Sequence, residues 1–165
     1  MVESGHMLKG NTVVDANINA SPSTKNAEKQ RDPEMHQTKT GNEWPFGMKC
    51  HVGVDAFSGL VHTIEVTSAN VHDVSVVDKL IREDDEFAYG DSGYSGIDKR
   101  EEIASDEHLS SIDYRINRCP SSLQKVSDNS FDWDRMMEHT KSSVRCKVEH
   151  PFRIVKCLFD YKKVA

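Results

Sequence analysis

Two runs of strict apolar–polar alternation on either side of a turn constrain this chain more than any other feature. Met48, Cys50, Val52 and Val54 alternate with Lys49, His51, Gly53 and Asp55; after Phe57-Ser58-Gly59, Leu60, His62, Ile64 and Val66 alternate with Val61, Thr63 and Glu65. A period of two on both sides of a glycine-containing turn predicts an antiparallel hairpin with one face against a core.

The neighbouring segments extend this hairpin into a sheet. The β-branched run Thr12-Val13-Val14-Asp15-Ala16-Asn17-Ile18 predicts a strand ended by Ser21-Pro22-Ser23, preceded by a loose lead-in over residues 1–10. Residues 21–45 are polar and predict a long loop. Asp73 is placed to cap a helix burying Val74, Val77, Leu80 and Ile81. Phe87-Ala88-Tyr89-Gly90-Asp91 predicts a short buried strand, and a glycine-rich turn over 92–96 follows it. A helix over Asp98 to Asp106, a strand over 111–116, a polar loop over 119–130 and a helix from about Asp132 complete the order.

In that last helix Val144, Val148, Val155 and Phe159 fall at offsets of 0, 4, 11 and 15, a single stripe predicted to face the sheet. Arg145, Glu149, Arg153 and Lys156 run beside it. Pro151 lacks a backbone donor, so a kink or restart near residue 150 is expected. Trp133 and Met136-Met137 read as core residues. The whole predicts an α/β fold: a mixed sheet with an antiparallel three-strand start, then helix-linked strands, flanked by helices.

Composition narrows the function. The net charge of −6 argues against generic nucleic-acid binding, yet it conceals a gradient. Residues 82–113 hold eleven acids against three bases, and 141–165 hold seven bases against two acids. Cys50, Cys119, Cys146 and Cys157 form no Cys-x-x-Cys pair, so free thiols are expected rather than zinc knuckles or a disulfide framework. No apolar run approaches the roughly 20 residues of a membrane helix and no signal peptide is recognisable, so no membrane partner and a cytosolic location are expected.

Three carboxylates are placed suggestively: Asp15 inside the first strand, Asp91 at the end of a later one, and Glu149 on the last helix. An unpaired buried acid is costly, and shared hard cations such as Mg²⁺ or Mn²⁺ relieve that cost while serving phosphoryl transfer. The plain alternative is a strand-edge Asp15, a turn-starting Asp91 and a Glu149 paired with Arg145 or Arg153. Of the histidines, His36, His51, His62, His72 and His150 show no His-x3-His spacing and read as ordinary hydrogen-bonded side chains, with His72-Asp73 a capping pair. Trp44 reads as packed under the hairpin, the alternative being a base-stacking residue. Glu83-Asp84-Asp85-Glu86 reads as a solvated acidic loop.

Several stretches carry a resemblance. Arg31-Asp32-Pro33-Glu34-Met35-His36-Gln37-Thr38-Lys39, Phe46 to Asp55, Ala69-Asn70-Val71-His72-Asp73, Gly90-Asp91-Ser92-Gly93-Tyr94-Ser95-Gly96 and Arg145-x3-Glu149-x6-Lys156 occur in this order. Together they resemble bacterial insertion-sequence DDE transposases of the Tyr-Arg-Glu-Lys motif type, from about Gly10 to the C-terminus.

The resemblance implies a ribonuclease H-like fold with Asp15, Asp91 and Glu149 as catalytic residues holding two Mg²⁺ or Mn²⁺ ions. It implies cleavage and strand transfer of double-stranded DNA at terminal inverted repeats, with Arg145, Arg153, Lys156 and Lys147 on DNA phosphates. A possible homo-oligomer and work at the bacterial nucleoid follow from the same likeness. Ser142 stands where the family has its Tyr. A catalytic domain over 11–165 is expected, without the family's N-terminal DNA-binding segment and with its C-terminus cut short. A catalytically silent remnant that binds DNA or a partner transposase, and a ribonuclease H-like nuclease, are the competing readings.

Overall fold

The computed structural model describes residues 10–21, 31–123 and 132–160. Six strands form one mixed sheet: β1 (Asn11–Ala20), β2 (His36–Gln37), β3 (Phe46–Asp55), β4 (Val61–Ser68), β5 (Phe87–Gly90) and β6 (Asp113–Ile116). β1 is central, antiparallel to β3 and parallel to β5. β4 and β2 pair antiparallel with β3, and β6 runs parallel to β5. The hairpin and the order of strands are as the alternation predicts, but the apolar face of β4 is not covered: Ile64 and Val66 are more than half exposed. The stretch expected to be a loop also contributes β2 and a Thr40–Glu43 bridge, while residues 22–30 lie outside the described ones.

β1 and β3 approach so closely at one end that Gly47 is obligatory there. A Cβ at that position would stand 2.2 Å from the Asn19 carbonyl oxygen. At the other end a buried polar cluster fastens β1. Thr12 Oγ1 donates to Asp85 Oδ2 at 2.5 Å and contacts His62 Nε2 at 3.0 Å. Arg82 donates to Asp85 through its backbone N–H and its guanidinium. Asp85 is thus only 3% exposed, which corrects the reading of 83–86 as a wholly solvated loop. Its desolvation is offset by a full set of donors, the condition under which a buried carboxylate is tolerated.

Two apolar layers cover the sheet. On one face Val14 packs with Val77, Leu80, Tyr94, Ile97 and Ile103; on the other Val13, Val52, Val54 and Ala56 pack with Val148. The helices on the first face are shorter than expected. Residues 73–76 form a 3₁₀ turn leading into α1 (Val77–Leu80), and the helix expected over 98–106 is split. It becomes a 3₁₀ turn (Ile97–Lys99), α2 (Glu101–Ala104) and α3 (Glu107–Ser111). Asp73 does not cap: His72 occupies the cap position without a side-chain bond, and Asp73 turns to Lys49.

The second face is covered by α4 (Trp133–Arg153), which runs through Pro151 without the expected break and passes into a π-helical turn (Ile154–Leu158). The Ile154 N–H is shared between the His150 and Pro151 carbonyls, and the Phe159 N–H reaches back five residues to Ile154 at 3.1 Å. The widened turn changes the helical phase. Val144, Val148 and Phe152 pack on the core, so Lys156, four further on, takes the inward position expected of Val155 and Phe159. Phe159 is 72% exposed. Trp133, Met136 and Met137 are likewise exposed rather than core, as is Trp44 at 59%.

Glu138 ties the start of α4 to the sheet. It accepts from the Arg118 backbone N–H at 2.8 Å, from Asn117 Nδ2 at 3.0 Å and from Lys141 Nζ at 3.0 Å. Burial alone would raise its pKa, but these donors hold the carboxyl down at about 2. Ser142 joins this anchor, its Oγ accepting from Asn117 Nδ2 at 3.2 Å.

Candidate active site

Strand register places the first two carboxylates. Val13 lies opposite Tyr89 in the parallel β1–β5 ladder, so Asp15 and Asp91, each two residues on, project from the same face of neighbouring strands. That face is the one α4 covers. Asp15 also lies opposite Val52, and Asn17 opposite Cys50, in the β1–β3 ladder.

The environment of Asp15 resists its ionisation. Burial pushes the carboxyl up to about 6; its bond from the Ala16 N–H (2.8 Å) and the Arg145 guanidinium oppose this, while the charges of Asp91 and Asp73 add to it. Asp91 is held by its own turn, its Oδ1 accepting from the Gly93 N–H at 2.9 Å. Asp91 thereby caps the Ser92–Tyr94 3₁₀ turn that follows β5.

The last helix supplies the opposite wall. Glu149, Phe152, Arg153, Lys156 and Cys157 line one cleft with Asp15 and Asn17. Glu149 is exposed and its Oε1 lies 3.8 Å from Arg145 Nη2, the ion pair of the plain reading. Lys156 Nζ donates to Asn17 Oδ1 at 2.5 Å.

Of the expected site residues, Asp15, Glu149, Arg153 and Lys156 line one cleft. Asp91 follows the strand paired with that of Asp15, and Arg145 lies against Glu149. Lys147 is directed elsewhere: it donates to the Ala56 and Phe57 carbonyls at 2.7 Å each, pinning α4 to the hairpin turn. Among the described residues, no three His, Cys, Asp or Glu side chains stand close enough together to hold a metal ion.

Sequence reading passed over several residues here. Asn17 is signalled only by its place two after Asp15, hence on the same face. Asp73 and Lys49 form an ion pair at 2.8 Å behind the sheet, with Lys49 also donating to the Val71 carbonyl. In the first half of β3 the polar residues are the deeper ones, Lys49 and His51 being buried and Met48 and Cys50 only half so, while Val52 and Val54 are buried further along. His62 is satisfied by Thr12 and Thr63, an ordinary bonded histidine as expected, whereas His51 bonds Thr67 Oγ1 at 2.9 Å through Nε2 and leaves its buried Nδ1 without a hydrogen bond. All four cysteines are free, and among the described residues no helix is long and apolar enough to cross a membrane.

Residues 9–164 match the family model described as the transposase DDE domain. The six-stranded mixed sheet flanked by helices agrees with the ribonuclease H-like architecture expected of such a domain. No solved structure matches the chain.

Proposed function

The chain belongs to the transposase DDE domain family, and on that premise we propose that it cuts and rejoins DNA at the terminal inverted repeats of an insertion sequence, with Asp15, Asp91 and Glu149 as its catalytic carboxylates. The observation that carries this reading is the register of β1 and β5. It runs the strands that lead to Asp15 and Asp91 side by side, and α4 brings Glu149 into one cleft with Asp15.

Carboxylate oxygens are the donors that Mg²⁺ or Mn²⁺ takes. These three acids do not stand together as a ready metal site, so two ions would require Glu149 to close on Asp15 and Asp91. Asp15 is buried, and the charges of Asp91 and Asp73 oppose its ionisation while that of Arg145 favours it. Asp15 and Asp91 would hold the metal, with Glu149 joining from the helix. When bound, such ions activate a water or a 3′-hydroxyl and neutralise charge on the phosphate.

The chain's own side chains do the rest. Arg145, Arg153 and Lys156 form a cationic rim that holds the phosphates of double-stranded DNA in register with the acids. Glu149 exchanges its loose contact with Arg145 for the site as DNA takes up the guanidinium. Pairing of two element ends calls for a homo-oligomer, and the substrate places the work at the bacterial nucleoid.

Labelled terminal-repeat DNA, the full chain and Mn²⁺ make the test. Nicking at the repeat ends is expected, and Glu149→Gln should abolish it while leaving the melting temperature within a few degrees. Cutting without preference for the ends would point instead to a general ribonuclease H-like nuclease. Binding with no nicking would favour the second reading, a silent domain that holds DNA or a partner transposase. The Arg145–Glu149 contact and Ser142 in the family's Tyr place speak for that one.

A further inference from the structure

Apolar packing does not by itself fix which side of α4 meets the sheet. Val144, Val148 and Phe152 pack on the core, yet Val155 and Phe159, on the stripe of Val144 and Val148 by spacing, are 39% and 72% exposed. Apolar contacts are non-directional, so a turned helix exchanges some for others at little cost. Hydrogen bonds are directional, and Asn117 makes several where they matter.

Asn117 links the strand end before Asp91 to α4. Its backbone N–H donates to the Gly90 carbonyl at 3.0 Å. Its side-chain Nδ2 reaches the Glu138 carbonyl oxygen at 3.2 Å, Glu138 Oε2 at 3.0 Å and Ser142 Oγ at 3.2 Å. These acceptors fix the orientation of the amide, because the flipped form would set Oδ1 against the Glu138 carboxylate. Oδ1 is left buried without a hydrogen bond among the described residues, a cost that the directed donor offsets.

Glu138, Ser142, Arg145 and Glu149 fall at offsets of 0, 4, 7 and 11, one stripe of α4 beside the core stripe. Asn117 grips the first two. The last two belong to the cleft: Glu149 lines it with Asp15, and Arg145 Nη2 lies 3.8 Å from Glu149. The helix is continuous from Trp133 to Arg153, so a rotation at Ser142 carries Glu149 with it.

We propose that Asn117 is a positioning residue that sets the rotational phase of α4 and so keeps Glu149 and Arg145 turned to the Asp15 cleft. Its consequence for the reaction rests on the reading of Glu149 as a catalytic carboxylate. Ser142 gains a role by the same argument, as an acceptor that marks the phase.

Two measurements on the full chain test this: hydroxyl-radical footprinting of Phe152 and Phe159, and the kinetics of Mn²⁺-dependent nicking of terminal-repeat DNA. In Asn117→Ala the labelling of Phe159 relative to Phe152 should fall severalfold, as the first turns in and the second out. The kcat of nicking should fall roughly tenfold or more with KM little changed, the effect of a misplaced catalytic group. Ser142→Ala covers the case in which Asn117→Ala does not fold. It should move both readouts the same way by less, with a melting temperature unchanged or higher, since alanine is the better helix former. A labelling ratio unchanged in the folded variants overturns the proposal even if they melt lower, because Asn117 would then only add stability. A changed ratio with wild-type kcat overturns the positioning of Glu149. A changed ratio with no nicking by the wild-type protein upholds the phase-setting role and overturns the catalytic reading instead.

Discussion

Lys156 Nζ and Asn17 Oδ1 lie 2.5 Å apart, joining the π-helical turn after α4 to the central strand across 139 positions of chain. The lysine expected to meet DNA phosphate is held two residues from Asp15 by a neutral acceptor. A neutral partner orients the ammonium without cancelling its charge, so it stays attractive to a polyanion. Lys156→Ala should lower the slope of log affinity against log salt for duplex DNA by about one. Fluorescence anisotropy at several salt concentrations measures this, and an unchanged slope shows that Lys156 does not touch phosphate.

Removing the acceptor tests the structural half of that bond. Asn17→Ala should destabilise the chain by about 1.5–3 kcal/mol, the value of a hydrogen bond to a charged group. Urea unfolding gives the number, and no loss would mean that the lysine is not fixed there in solution.

Asp15 costs the free protein stability. Its carboxyl is raised from 3.8 to about 6, chiefly by burial, so the folded chain disfavours the charged form. The cost is absent below about pH 4, appears as pH rises through 6, and is complete at pH 7. Asp15→Asn should therefore stabilise the cation-free chain at pH 7 by about 1–2 kcal/mol, less than the ~3 that such a shift represents before solvent screening. Melting curves at pH 7 and pH 4 check it: the gain should shrink or vanish at the lower pH.

His62 titrates in the opposite sense. Burial and then Arg82 lower its pKa from 6.5 to about 4. A neutral ring with Nε2 protonated donates to Thr12 Oγ1 and accepts at Nδ1 from Thr63. The stability this contributes is complete above about pH 6.5 and is lost as pH falls towards 4. His62→Gln keeps a donor and cannot titrate, so its urea midpoint should fall less than that of wild type between pH 7 and pH 4.5. Equal falls would show that His62 does not set the acid limit.

Gly47→Ala should be among the most damaging small substitutions, costing upwards of about 2 kcal/mol, because its methyl would meet the Asn19 carbonyl at 2.2 Å and force β1 from β3. Circular dichroism melting reads this directly, and a near-neutral result would exclude the close β1–β3 approach at that end.

Much of the fold is legible in local pattern. The alternation of β3 and β4 specifies a hairpin because strand side chains repeat every two residues. The β-branched run of β1 and the apolar Phe87–Gly90 mark the strands that carry Asp15 and Asp91. Patterns of this kind depend on near neighbours alone, which is why the acids could be placed on strand and turn before any contact was known. The apolar stripe of α4 is legible only as far as Val148, Phe152 packing on the core in place of the expected Val155. Beyond it Pro151 and the π turn alter the helical phase, a property of backbone hydrogen bonding that residue spacing does not carry.

The chain's order of apolar and polar residues determined the elements and the strands on which two acids sit, since those choices are settled within a few residues of each position. Tertiary structure alone decided which charges meet. The parallel register of β1 and β5 sets Asp91 beside Asp15, the phase of α4 turns Lys156 rather than Val155 to the sheet, and Lys147 is spent on the hairpin turn instead of the cleft. Such pairings join residues tens of positions apart, and their energies depend on burial and on the other charges present. Both exist only once the sheet and the helix have closed on one another.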